Sequence, residues 1–81
     1  MNKYEKAVIA METGEKLAKR LESGDVFHGA LEHADKLYEK GSLEHSMFVH
    51  GYINGLDERF GDSVPCDIVR HDDGTETYLI K

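Results

Sequence analysis

The sequence predicts an α+β fold that is mainly α: a three-helix core followed by a C-terminal antiparallel β-hairpin. Apolar residues recur at helical spacing as far as about position 60, and the period then changes to two beyond Gly61 and Pro65. Between the last two β-prone runs stands Asp73-Gly74, a pair that tolerates the positive φ angles of a tight turn.

The first helix is expected over about residues 3–22, with Ala7, Val8, Met11, Leu17, Ala18 and Leu21 on one stripe. Gly14 falls inside that stripe, where it costs about 1 kcal/mol against Ala, so another helix is expected to approach closely there. Ser23-Gly24 ends the helix, and Lys19 and Arg20 complement its negative end.

Asp25 is the expected N-cap of a second helix over about residues 25–40, whose stripe runs Val26, Phe27, Ala30, Leu31, Ala34, Leu37 and Tyr38. Gly41 stops it. Ser42 caps a third helix over about residues 42–60, where Phe48, Val49, Tyr52, Ile53, Leu56 and Phe60 form a wider arc edged by Gly51 and Gly55. So broad an arc places this helix centrally, against both others.

The hairpin strands are expected at about residues 66–71 and 75–80. With Asp73-Gly74 as a two-residue loop, Val69 faces Tyr78 and His71 faces Glu76, although a longer loop starting at Asp72 is nearly as good. A lone hairpin is marginal in water, so one of its faces is expected to lie against the helices.

The 81 residues read as a single small domain, 1–81, and a 40% hydrophobic share beside 32% charged residues marks a globular chain. A formal charge of −6 argues against direct binding of nucleic acid or of an anionic membrane, and leaves proteins as the expected partners. The apolar run from Ala7 to Met11 is too short for a signal segment or a membrane span, so the expected location is the cytoplasm. Cys66 is the single cysteine, which excludes an intramolecular disulfide and a thiolate cluster, and it reads as a half-buried strand residue.

Five histidines invite a metal reading, yet His28 and His33, and again His45 and His50, are five apart and diverge around a helix. A centre assembled across helices, such as His33 with Glu32 or Asp35 meeting His45, is the form an enzyme at an oligomer interface would need. No catalytic, metal or cofactor residue is assigned. His45 stands in line with Val49, Tyr52 and Leu56, so it is expected to be buried, and neutral at the positive end of the helix dipole. The acidic clusters, such as Glu32 with Asp35 and Glu39, are interspersed with lysines, as on a solvated face. A nucleic-acid mimic would carry less diluted negative charge.

Gly51 and Gly55, four apart, let two helix backbones approach, either in the core or, with Tyr52 and Leu56, in the seam of a homodimer. Ile9 on the outer side of the first helix and Leu43 and Met47 on the outer side of the third fall off the core stripes. With Tyr52 they are the expected protein-interaction residues.

At Phe48-Val49-His50-Gly51-Tyr52-Ile53-Asn54-Gly55-Leu56, followed by a short Asp-Gly hairpin, the chain resembles in general style the small accessory proteins encoded by tailed bacteriophages. The resemblance rests on no diagnostic motif and transfers no functional residue. It implies a protein that binds and inhibits or redirects a host enzyme, such as a polymerase, nuclease or defence factor, in the host cytoplasm. The expected function is therefore a non-enzymatic module that regulates a larger intracellular enzyme by binding it. A metal- or His/carboxylate-dependent enzyme and an acidic nucleic-acid mimic stay open as alternatives.

Overall fold

The computed structural model describes residues 2–81 and has three helices and a two-stranded antiparallel hairpin at the C-terminus, an α+β fold that is mainly α. Helix α1, Lys3–Lys19, starts where the Asn2 side chain accepts a hydrogen bond from the Glu5 N–H at 2.9 Å. It stops three residues earlier than the stripe suggested. A turn over residues 22–25 takes the chain away, with Gly24 at φ +91° and the Asp25 carboxylate accepting from the Glu22 N–H at 2.7 Å. Arg59 donates to the Lys19 carbonyl at 2.8 Å, satisfying one of the carbonyls that a helix end leaves without a partner.

The second helix is the main correction. Helix α2 spans only Ala30–Leu37, capped at its start by Gly29 rather than Asp25. Val26 and Phe27 are extended instead, and residues 24–27 pair with the end of the chain. The Gly24 N–H donates to the Ile80 carbonyl at 2.6 Å, the Ile80 N–H to the Asp25 carbonyl at 2.9 Å, and the Phe27 N–H to the Tyr78 carbonyl at 2.7 Å. A β-branched residue beside an aromatic one, between Gly24 and Gly29, favours extended backbone, and an open strand edge supplied its partners.

Helix α3, Leu43–Phe60, follows the expected bounds, with Ser42 accepting from the His45 N–H at 3.1 Å and Gly61 ending it at φ +79°. It packs against both α1 and α2. Against α1 the contact is backbone to backbone. A Cβ on Gly14 would sit 2.5 Å from the Phe48 carbonyl oxygen, one on Gly51 would collide with the Met11 carbonyl, and one on Gly55 would lie 2.7 Å from the Ala18 Cβ. Met11 meets Gly51 and Ala18 meets Gly55, so α1 and α3 run parallel along a seam of small residues. Beyond that seam Phe48 and Tyr52 are fully buried, and burial of each contributes about 1.5–3 kcal/mol.

Strand β1, Cys66–Arg70, pairs with β2, Glu76–Ile80, and sets Val69 opposite Thr77 and Ile68 opposite Tyr78. The register is one residue from the expected one, because the loop holds three residues, Asp72, Asp73 and Gly74. The Asp73 carboxylate accepts from the Thr75 N–H at 3.0 Å and its hydroxyl at 2.6 Å, and Gly74 takes φ +90°. This clasp outweighs the two-residue turn. Contrary to the expectation that one of its faces would lie against the helices, the ribbon does not lie face-down on them. It attaches by its β2 edge to residues 24–27 and extends from one end of a molecule measuring 45 × 28 × 17 Å.

Candidate functional site

The ribbon's register decides what it exposes. Val69 faces Thr77 in a hydrogen-bonded pair, and β2 directs Tyr78 and Ile80 toward residues 24–27, so the backbone groups of Cys66, Ile68 and Arg70 point away from β2 along an open edge. One face carries Phe27, Cys66, Ile68, Tyr78 and Ile80, and the other Val26, Val69 and Leu79. The first face also holds the Arg70–Glu76 ion pair at 3.6 Å and the second Asp67 and Thr77, and of the apolar residues on the two faces only Ile80 is buried. Ile68 stays 53% exposed and Tyr78 40%.

Between the first face and the start of α2 lies an open groove of about 420 Å³, lined by Phe27, Val64, Cys66, Ile68 and Tyr78, with Gly29 and Glu32 on the α2 side. A smaller recess beside it adds His28 and Glu76. The Tyr78 hydroxyl donates to Glu76 at 3.0 Å, which raises its pKa and holds the ring across the strand. Burial, with Asp67 adding, pushes the Cys66 thiol above its usual range, so it serves the groove as a small apolar group rather than a nucleophile. An apolar floor with a few polar groups at the rim suits an apolar side chain of another molecule.

Sequence reasoning missed this surface, because Val26 and Phe27 were placed in a helix. The signal was Val26-Phe27 flanked by two glycines, a short-strand pattern. The expected interaction residues lie elsewhere and do not form one patch. Ile9 is 46% exposed, beside a shallow depression lined by Lys6, Tyr38 and Glu44. Leu43 and Met47 are half-buried, eight and four residues ahead of Gly51 on the line of α3 that meets α1, and so are not on an outer side. Tyr52 is 0% exposed and its hydroxyl donates to the His28 carbonyl at 3.2 Å, so no partner can reach it in this fold. Gly51 and Gly55 are likewise taken up by α1, not by a dimer seam.

Two of the five histidines sit at the α2–α3 interface in different settings. His45 is buried, as expected, and its Nε2 lies 2.8 Å from the Asp35 carboxylate, a pairing the sequence raised only as part of a metal centre and which here ties α3 to α2 as a two-residue contact. The hydrogen bond to His45 holds the Asp35 carboxyl below the usual carboxylate range, helped by Lys40 at 3.7 Å. His33 packs against the rings of Phe48 and Tyr52. Among the described residues no three His, Cys, Asp or Glu side chains are grouped so as to hold a metal ion. No helix of the described residues is long and apolar enough to cross a membrane. Comparison of the chain with protein-family models, with curated proteins and with solved structures finds no match.

Proposed function

We propose that this chain is a non-enzymatic binding module that regulates a larger protein by presenting it with the ribbon groove. One observation carries the reading: a ribbon with apolar side chains on both faces and an open edge buries only Ile80 of the apolar side chains on its strands against its own chain. Monomeric proteins rarely leave contiguous apolar surface without a use for it, and an isolated hairpin gains from being covered. The resemblance to phage accessory proteins makes the larger protein a host enzyme and the place of action the host cytoplasm. Tyr78 supplies an exposed aromatic anchor of the kind such contacts favour, and Phe27, which packs on the core, forms part of the groove's floor.

The test is a matched capture with wild type and an Ile68→Glu, Tyr78→Ser double variant, followed by calorimetry with the purified protein that wild type retains. The reading expects unchanged circular dichroism and at least about 100-fold weaker binding, in line with loss of a central anchor. Equal affinity of the two forms contradicts it.

A further inference from the structure

Taking the groove as the binding surface, we propose that His33 is an acid-sensitive latch: a proton on its half-buried ring, at the buried Nδ1, releases α2 from α3 and so removes the α2 wall of the groove. The ring centroid lies 5.4 Å from that of Tyr52 and 5.9 Å from that of Phe48, across the α2–α3 interface. His33 Nδ1 is buried and has no hydrogen-bond partner among the described residues. A neutral ring with its proton on Nε2 leaves only a lone pair unfilled there. A protonated ring adds an N–H donor and a charge with nothing to accept either.

The groups facing the ring do not offset this. His28, from the segment before α2, meets it edge-on at 5.7 Å, and Lys36 on α2 adds like charge. Glu32 favours the charged ring, but it also lies 3.6 Å from His28. From α3 comes Tyr52, whose hydroxyl is committed to the His28 carbonyl and kept neutral by a pKa that burial raises. The ribbon brings Glu76 to the recess with His28 and Glu32, on the groove side. Burial first, then His28 and Lys36, hold the His33 pKa below its ordinary 6.5.

The closed arrangement therefore binds fewer protons than the released one. Its stabilisation is complete above about pH 6.5 and is lost as pH falls through the lowered folded value. The Asp35–His45 contact also joins α2 to α3, but it yields in a separate window, below the ordinary 3.8 of Asp35. Helix α2 is the element able to yield, with eight residues and no side-chain cap at Gly29.

Amide hydrogen exchange on the full chain, corrected for intrinsic rates, tests the latch at neutral pH and near pH 5 in wild type and in His33→Phe, which keeps a ring without a titrating nitrogen. In wild type, protection of α2 is expected to fall about tenfold for each pH unit by which the ring is depressed, while the α1–α3 seam holds. In His33→Phe it is expected to stay level. An equal fall in the variant, or no fall in wild type, overturns the proposal. Should the variant not fold, NMR titration of the wild-type ring decides: a midpoint below 6.5 supports the latch, and one at or above it refutes it. The readout needs only the protein itself, so the latch can fail while groove binding survives, and the reverse.

Discussion

The seam between α1 and α3 and the ribbon at the other end of the chain use apolar residues in opposite ways. In the seam, Gly14 and Ala18 of one helix meet Gly51 and Gly55 of the other so closely that no further carbon fits, and Ala7 and Ala10 of the first helix are buried as well. In the ribbon, larger side chains such as Ile68 and Tyr78 stay in solvent. Stability comes from close approach of small residues around Phe48 and Tyr52, whereas the big apolar groups outside that core remain available for contact. The seam fixes shape; the ribbon is left to bind.

Closing the seam's tolerance breaks the comparison most severely. Gly51→Ala puts a Cβ into the Met11 carbonyl; the gain of about 1 kcal/mol in helix propensity is outweighed by overpacking. A net loss of about 2 kcal/mol is expected, a fall in Tm of about 8–16 °C for a chain of this size, read by thermal melting. Next comes Tyr52→Phe, which removes the hydroxyl donor to the His28 carbonyl and should cost about 1 kcal/mol in denaturant unfolding, loosening residues 24–29 rather than the seam. Ile68→Glu should have the smallest effect, within about 0.5 kcal/mol of wild-type stability, because its side chain supports little of the fold. A large loss at Ile68 would turn the ribbon from an exposed surface into core.

Much of this contrast is legible in the sequence, for identifiable reasons. Gly14 inside an apolar stripe announces a close neighbour, and Gly51 and Gly55 name it, because helical spacing is a local rule and the seam obeys it. Ser42 and Gly61 bound α3 by their own capping chemistry. The failures lie where a distant segment decides. Residues 24–27 could extend the Asp25 N-cap into a helix or pair with β2, and only the chain's C-terminus settles which. The same event exposed the groove and removed the ribbon's faces from the helices. Tyr52 was misjudged for a related reason: an arc that wide fits a core and a dimer seam equally, until α1 and α2 take its two sides. The Asp35–His45 contact needed the packing angle of α2, which no spacing carries.

Two tyrosines in one chain provide the most direct comparison of core with ribbon: Tyr52 is 0% exposed and Tyr78 is 40% exposed. Hydroxyl-radical footprinting of the native protein, read by mass spectrometry, is expected to modify Tyr78 readily and leave Tyr52 untouched until the chain unfolds. Equal modification of the two rings, or protection of Tyr78 in the isolated chain, would contradict an exposed ribbon set on a closed seam.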